Sequence, residues 1–156
     1  MQITRATDYA VRVTVHLATL PAGQKVPLGE LAEATGVRDN FLSKILQRLV
    51  RNGVVTSHRG TGGGFLLNVA AKDLTLLQVV EAIEGKIELN ICLSDWQSCP
   101  LQAQCAVHPV WQKAQLAIAK ELAAVTIAEL ATQTTEKSRA FFSEEQQPEN
   151  PPKPGG

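Results

Sequence analysis

Residues 26–67 read VPLGELAEATGVRDNFLSKILQRLVRNGVVTSHRGTGGGFLL, and this stretch decides the fold. Apolar side chains recur at helical spacing in two consecutive segments, and Gly36 provides the turn between them. Two β-prone runs follow, residues 54–56 and 65–67, and a glycine-rich loop connects them into a hairpin. Helix, turn, helix and hairpin in this order predict a winged helix-turn-helix, whose second helix enters the major groove of DNA.

The second helix of this stretch supplies most of the predicted DNA contacts. Asp39 or Asn40 is expected to cap it, so that its N-terminal residues reach base edges. Basic side chains along it are placed to neutralise phosphates, and the glycine loop would let the wing approach the DNA backbone, with an arginine entering a minor groove. The predicted DNA-binding residues are Arg38, Asp39, Asn40, Phe41, Ser43, Lys44, Arg48, Arg51 and Arg59.

Helical periodicity also covers most of the remaining chain. Residues 4–19 form a predicted first helix, and the helix after the hairpin is expected to end at Gly85. A loop of roughly twenty residues follows, which is long for a compact chain and therefore suggests a function. A long helix is then expected over residues 109–125, and a last short helix begins at Thr126.

The resulting fold class is mainly α-helical, with a small β-hairpin wing and a long dimerisation helix. The expected parts are a DNA-binding domain (1–72), a linking helix and cysteine loop (73–108), a dimerisation helix with a C-terminal helix (109–142), and a disordered tail (143–156). Residues 1–72 carry nine Lys or Arg and four Asp or Glu, a balance of +5, whereas the rest carries six and eleven, a balance of −5. The basic first part suits contact with a polyanion.

The long helix carries an apolar stripe that a monomer would expose to water. Pairing of this helix with its copy in a homodimer would bury the stripe, and the two recognition helices would then lie about one DNA turn, ~34 Å, apart. The residues of the stripe are Trp111, Ala114, Ile118, Leu122 and Val125.

The loop before the long helix contains all three cysteines of the chain, Cys92, Cys99 and Cys105, with His108 three residues after the last. Thiolates are soft ligands that suit iron–sulfur clusters or zinc, and zinc bound by three cysteines and one histidine is an equally sound interpretation of the spacing. Three ordinary thiols in an unbound loop remain the alternative without a metal. Trp96 is placed to shield the loop.

Several functional classes fit the sequence poorly. No apolar run approaches the ~20 residues that span a bilayer, and the N-terminus lacks a signal-peptide pattern, so a soluble, cytoplasmic protein is expected. Nothing in the spacing supplies a catalytic triad or a substrate pocket. Two rival classes stay open: a small iron–sulfur electron-transfer protein, and an enzyme that uses Cys105 as its nucleophile.

Four segments of the chain resemble the Rrf2 family of transcriptional regulators: ATDYAVRV (6–13), VPLGELAEATGV (26–37), NFLSKILQRLVRNGVV (40–55) and HRGTGGGFLL (58–67). The resemblance extends from the N-terminus to about residue 132. It implies a homodimer that binds palindromic promoter DNA, with base contacts along the start of the recognition helix and a minor-groove arginine on the wing.

The same resemblance implies an iron–sulfur cluster held by the three cysteines. His108 lies where one branch of the family, the iron–sulfur cluster regulators, has a histidine as fourth ligand. Asp8 lies where the nitric-oxide-sensing branch supplies an aspartate from the partner subunit. A histidine ligand favours a 2Fe–2S cluster and an aspartate favours 4Fe–4S. Since His108 is local to the cysteines, the 2Fe–2S form is slightly favoured, for a regulator that senses iron, redox state or nitric oxide.

Overall fold

The computed structural model describes residues 3–95 and 99–145. The described part is mostly helical and contains one two-stranded antiparallel hairpin. In chain order the first elements are α1 (Arg5–Thr19), α2 (Leu28–Thr35), α3 (Asp39–Arg51), β1 (Val55–His58) and β2 (Gly64–Leu67). They are followed by α4 (Leu76–Glu84), α5 (Ile91–Ser94), a short 3₁₀ turn (Gln102–Gln104), α6 (His108–Ala124) and α7 (Ile127–Glu145). The predicted fold class, helix-turn-helix with a hairpin wing, is confirmed.

Local signals account for the first three helices. Gly36 ends α2 in the left-handed conformation at φ +68, as its place after the helix predicts. Helix α3 starts one residue earlier than predicted. Its N-cap is Arg38, and Asp39 lies within the first turn, so the prediction that Asp39 or Asn40 caps the helix was wrong. A carboxylate in the first turn is still favoured there, because it faces the positive end of the helix dipole.

The hairpin wing is hydrogen-bonded to a short extended segment at Val26, which precedes α2. Phe65 of β2 and Val26 exchange two backbone hydrogen bonds of 2.9 Å. A Cβ at Gly64 would lie 2.6 Å from the Val26 carbonyl oxygen, and a Cβ at Gly63 would lie 2.4 Å from the carbonyl oxygen of His58. These two glycines are therefore required by the wing's own packing, before any approach to DNA is considered.

The second half of the chain departs from the predictions in two places. The final helix is not short, because α7 runs for 19 residues and includes Ser143–Glu145, which the sequence assigned to a disordered tail. Residues 146–156 and Trp96 lie outside the described residues. The cysteine loop is not wholly irregular either, since α5 and the 3₁₀ turn lie within it.

One hydrophobic core joins both halves of the chain. Residues of α1, α2 and α3 pack with Val79 and Ile83 of α4 and with Ile127 and Ala131 of α7. The boundary at residue 72, which follows the change in charge, therefore does not divide the core. The difference in charge between residues 1–72 and 73–156 concerns side chains at the surface, which can differ while the buried residues form one core. The change in charge therefore does not indicate a division of the core. No helix within the described residues is long and apolar enough to cross a membrane.

Candidate nucleic-acid interface and cysteine segment

Helix α3 has one face in the core and the opposite face in water. Leu42, Ile45, Leu46 and Leu49 are all at most 2% exposed, and they fix the helix against the rest of the fold. This apolar seam determines which side chains can point outward. The predicted DNA-contacting residues of the helix are exposed, apart from Ser43, which is half-buried.

Four residues lie directly opposite the buried seam of α3: Asn40, Lys44, Gln47 and Arg51. Their spacing of four, three and four residues keeps them on one helical face. We call this set the outer face. Gln47 is exposed and was missed by the sequence analysis, although the spacing from Lys44 and Arg51 was available to find it. A glutamine amide offers both donors and an acceptor, which suits hydrogen bonding to an adenine edge.

Phe41 and Arg48 lie on one flank of α3 rather than on the outer face. Phe41 packs edge to face against Tyr9 of α1, with ring centroids 5.7 Å apart, and the Arg12 guanidinium lies 5.6 Å from the Tyr9 ring centroid. Phe41 nevertheless remains 41% exposed. The contact holds the start of the recognition helix against α1, so that Phe41 positions the helix in addition to offering an apolar surface.

Ser43 has a local partner that limits its chemistry. Its hydroxyl donates to the backbone carbonyl of Asp39 at 2.8 Å. The oxygen can still accept a hydrogen bond, so Ser43 would present an acceptor to a base and not a donor. On the wing, Arg59 follows β1 directly and is exposed, in the loop that the tight turn at residues 60–63 closes.

The cysteine segment, which we define as residues 85–107, is attached to α6 by specific contacts. The Leu89 N–H donates to the side-chain carbonyl of Gln115 at 3.1 Å. Asn90 caps α5 by accepting a hydrogen bond from the Ile91 N–H at 2.8 Å. The turn that carries Cys92 is thereby held beside the middle of the long helix.

The three thiols share a similar environment. Cys92, Cys99 and Cys105 are each half-buried, and none forms a disulfide. The backbone N–H of His108 donates to the Cys105 carbonyl at 3.3 Å, and the imidazole Nδ1 is buried. Thiols and an imidazole nitrogen are donor types that suit a soft metal or an iron–sulfur cluster. Among the described residues, no three His, Cys, Asp or Glu side chains are gathered closely enough to hold a metal ion.

Asp8, the alternative fourth ligand from the sequence analysis, lies in the first turn of α1 and has an ion-pair partner there. Its carboxylate pairs with Arg12 one turn later, at 2.9 Å, and both side chains are about half exposed. An exposed pair at this spacing stabilises a helix by only about 0.2–0.5 kcal/mol. The Asp8–Arg12 pair is therefore weak, and a stronger partner for either side chain would replace it.

Comparison with known families identifies the chain. The model of the Rrf2 family, described as an iron-dependent transcriptional regulator, matches residues 3–133. The chain belongs to the Rrf2 family. The match covers both the wing and the cysteine segment, and it confirms the resemblance drawn from the sequence motifs.

Solved structures of the same fold support the assignment. IscR of T. potens is 22% identical, with a TM-score of 0.67 over 88% of this chain and 90% of the other. CymR of B. subtilis, titled the global cysteine regulator, is 19% identical, with a TM-score of 0.67 over 85% and 98%. The oxidised form of CymR from Staphylococcus aureus is 24% identical, with a TM-score of 0.62 over 84% and 96%.

The family determines the broad function. The chain is a DNA-binding transcriptional regulator and not an enzyme, which removes the interpretation of Cys105 as a catalytic nucleophile.

Proposed function

We propose that this protein is a homodimeric transcriptional regulator whose binding to palindromic promoter DNA is controlled by an iron–sulfur cluster in the cysteine segment. The observation that carries the proposal is the arrangement of α3, which buries one face in the core and turns a polar and basic outer face to water beside an exposed wing arginine. The cluster rests on the donor set of the cysteine segment and on the family's description as iron-dependent.

The DNA face combines two kinds of contact. Arg38, Asp39, Asn40, Phe41 and Ser43 at the start of the recognition helix are the candidates for base contacts, to which Gln47 is added by its position on the outer face. Lys44, Arg48 and Arg51 contact phosphates, which supply affinity without sequence information. Arg59 enters the neighbouring minor groove, where a narrow A/T-rich segment attracts a guanidinium.

Dimerisation is proposed to use α6. None of the seventeen residues of this helix, all of which are described, is buried, although it carries Trp111, Ile118 and Leu122. A helix with so much apolar surface in contact with water is stabilised when a second copy covers it. Twofold symmetry then gives two recognition helices one DNA turn apart, so that protein symmetry matches a palindromic site.

The proposed cluster ligands are the thiolates of Cys92, Cys99 and Cys105, with His108 or Asp8 of the partner subunit as the fourth. When bound, a cluster supplies iron that responds to iron supply, redox state or nitric oxide. The chain's own part is to hold the segment between α4 and α6, so that occupancy constrains both the dimer helix and the last helix of the DNA-binding unit. We favour His108 and a 2Fe–2S cluster, because His108 already contacts Cys105 through the backbone.

The experiment that tests the proposal is anaerobic purification followed by absorption spectroscopy, iron and sulfide analysis, and gel-shift titration with promoter DNA before and after cluster removal. We expect iron and sulfide in about equal amounts and a change in DNA affinity on removal. Zinc without sulfide, or no metal at all with unchanged DNA affinity, would replace the proposal with a cluster-free regulator of the same fold. Cluster without specific DNA binding would instead favour the electron-transfer alternative.

His108→Ala and Asp8→Ala, reconstituted side by side, test the fourth ligand. We expect His108→Ala to alter the absorption and the electron paramagnetic resonance signal more than Asp8→Ala, whereas replacement of any one cysteine bleaches the protein. Loss of the native signal in Asp8→Ala alone would indicate aspartate ligation and a 4Fe–4S cluster.

A further inference from the structure

Helices α1, α3 and α4 meet at the C-terminal end of α4. Glu84, its last residue, accepts hydrogen bonds from the Thr4 N–H at 3.0 Å, from the Thr4 hydroxyl at 2.7 Å and from the Thr7 hydroxyl. Thr4 is the N-cap residue of α1 but makes no side-chain cap bond to its own helix. The Glu84 carboxylate therefore acts as the cap of α1 across eighty residues of sequence, at the end of the helix where negative charge is favoured.

The recognition helix ends at the same place. Asn52 follows α3, and its side-chain amide donates to the Arg48 carbonyl at 2.9 Å and to the Ala82 carbonyl at 3.0 Å. One side chain thus fastens the last turn of α3 to the last turn of α4, two residues before Glu84. The sequence gives no local sign of this junction, because each of its contacts joins residues that lie far apart along the chain.

The charge of Arg48 acts on Glu84 across this junction. Burial raises the pKa of Glu84, but the hydrogen bonds from Thr7 and Thr4, together with the positive charge of Arg48, outweigh burial and hold the pKa below its ordinary value of 4.5. The interaction is mutual, since a carboxylate that gains from a guanidinium also attracts it. Glu84 is therefore charged at neutral pH. Asn52 brings the last turn of α3, which carries Arg48, to the end of α4, and the attraction between Glu84 and Arg48, both within the described part of the chain, acts without a direct ion pair.

We propose that Glu84 is a positioning residue for DNA binding, whose carboxylate competes with a DNA phosphate for the guanidinium of Arg48. This inference rests on the proposed DNA face, in which Arg48 contacts a phosphate. Because three hydrogen bonds from Thr4 and Thr7 hold the carboxylate, the exposed Glu84 is a fixed countercharge at the surface. It lowers the affinity of one recognition helix for DNA without altering the helix itself.

The location of Glu84 connects this competition to the cysteine segment. Gly85 follows at once with φ +83, a left-handed conformation that turns the chain out of α4 and into the segment. A change in the path of the segment at Gly85 would act on the end of α4 and, through Asn52, on the last turn of α3, which carries Arg48.

The test uses the full-length protein and a double-mutant cycle. Binding to a labelled duplex of about 30 base pairs and random sequence is measured by fluorescence anisotropy between 50 and 300 mM KCl, a range over which phosphate contacts are strongly salt-dependent. The variants are Glu84→Gln, Arg48→Ala and the double variant. Glu88→Gln is the matched control, because Glu88 is an exposed glutamate four residues later in the chain.

We expect Glu84→Gln to bind about threefold to tenfold more tightly, with a salt slope steeper by up to about one for each recognition helix. Glu88→Gln should change affinity by less than about twofold, since a distant exposed charge is screened at these salt concentrations. In the Arg48→Ala background, Glu84→Gln should have no more effect than Glu88→Gln. Glu84→Asp keeps the charge and shortens the side chain, so it should bind DNA no more tightly than the wild type even where it loses stability.

The outcomes distinguish a failure of the proposed DNA face from a failure of the proposed competition between Glu84 and a DNA phosphate. If Arg48→Ala leaves both affinity and salt slope unchanged, the proposed DNA face is wrong at this residue. If Arg48→Ala weakens binding but Glu84→Gln tightens it equally with and without Arg48, the competition is overturned and the DNA face stands. A gain in affinity for Glu84→Asp equal to that for Glu84→Gln would also overturn it, because the cause would then be the lost cap and not the charge.

Discussion

Helices α1 and α6 are of similar length, 15 and 17 residues, yet they differ completely in how they are packed. Six side chains of α1 are buried, and the helix contacts α2, α3, α4 and α7. None of α6 is buried, and within the chain it contacts mainly α4 and α5. The fold of α1 is complete in one chain, whereas α6 has apolar surface left to share. The difference teaches that α1 is packed within one chain, on residues from both halves, whereas α6 keeps apolar surface that the proposed homodimer would cover.

The largest expected effect comes from disrupting the proposed pairing of α6 with its copy. Ile118→Glu combined with Leu122→Glu should convert the proposed dimer to a monomer and reduce binding to a palindromic site by about a hundredfold or more, because a buried unpaired charge is costly and the second recognition helix is lost. Sedimentation velocity and gel-shift titration measure the two effects.

The matched control for this variant lies on another side of the same helix. Leu116, which is 63% exposed, lies two residues before Ile118 and therefore on nearly the opposite side of the helix, outside the proposed stripe. Leu116→Glu should leave the dimer intact. Dissociation by Leu116→Glu, with the double variant still dimeric, would move the seam to the other face of α6. Circular dichroism of the double variant checks that α6 has not lost its packing against α4 within the chain.

The next effect concerns the anchoring of α3 in the hydrophobic core. Leu49 is fully buried at the end of α3, and Leu49→Ala should lower the free energy of unfolding by about 2–5 kcal/mol, through lost burial and the cavity that remains. Gln47→Ala on the outer face of the same helix should change it by less than about 0.5 kcal/mol. Urea unfolding of both variants gives the comparison. Equal effects would mean that α3 is not anchored by its apolar seam.

These contrasts also explain which parts of the fold the sequence could predict. Helices α1 to α4 have local signals, such as apolar periodicity, Gly36 after α2, and Thr75 with Gln78 in a capping box before α4. Helix α7 was predicted too short because its sequence is rich in Ala, Thr and Glu, and its contact with α1 joins distant parts of the chain. Periodicity detects a helix that buries a full apolar face, and α7 contributes mainly Ile127 and Ala131 to the core.

The types of residue at the site could be predicted from the sequence, but their arrangement in space could not. The spacing of the cysteines identifies a donor set, but spacing alone cannot say which sulfur atoms meet. The wing glycines were assigned to the approach of DNA, whereas the contacts of Gly63 and Gly64 show that the wing itself requires them. Glu84 had no detectable signal at all, because its importance comes from Thr4 and Thr7 at the other end of the DNA-binding unit.

A smaller effect distinguishes positioning from reading on the DNA face. Lys44→Ala should flatten the salt dependence of DNA binding by about one unit of slope for each lost phosphate contact, at every sequence alike. Arg59→Ala should weaken binding most at sites with a narrow, A/T-rich minor groove. Anisotropy titrations on two duplexes, with an A/T-rich or a G/C-rich flank, separate them. Unchanged affinity in both variants would remove this face as the DNA interface.

The smallest expected effect is a pH dependence of the free energy of unfolding, which comes from the carboxylates that cap the N-terminal ends of α1 and α7. Glu84 caps α1, and Glu129 forms a capping box with Thr126 at the start of α7, where its carboxylate accepts from the Thr126 N–H at 2.8 Å. Hydrogen bonds from the Thr126 backbone and hydroxyl lower the pKa of Glu129, outweighing a small opposing effect of burial. Helix α6 has no such cap, since Val107 precedes it.

The sign follows from these depressed pKa values. A carboxyl group whose pKa is lower in the folded state stabilises the protein above its unfolded value, near 4.5, and that contribution is lost as the pH falls through the folded value. Wild type should therefore lose more stability than Glu84→Gln or Glu129→Gln between pH 6 and pH 3, and the differences in unfolding free energy should narrow as the pH falls. Urea unfolding at intervals of half a pH unit measures the narrowing, and Glu88→Gln serves as the control for the loss of a surface charge. Parallel curves for Glu84→Gln would show that its carboxylate does not fasten α1, and the packing of α1 against α4 would then rest on the apolar core alone.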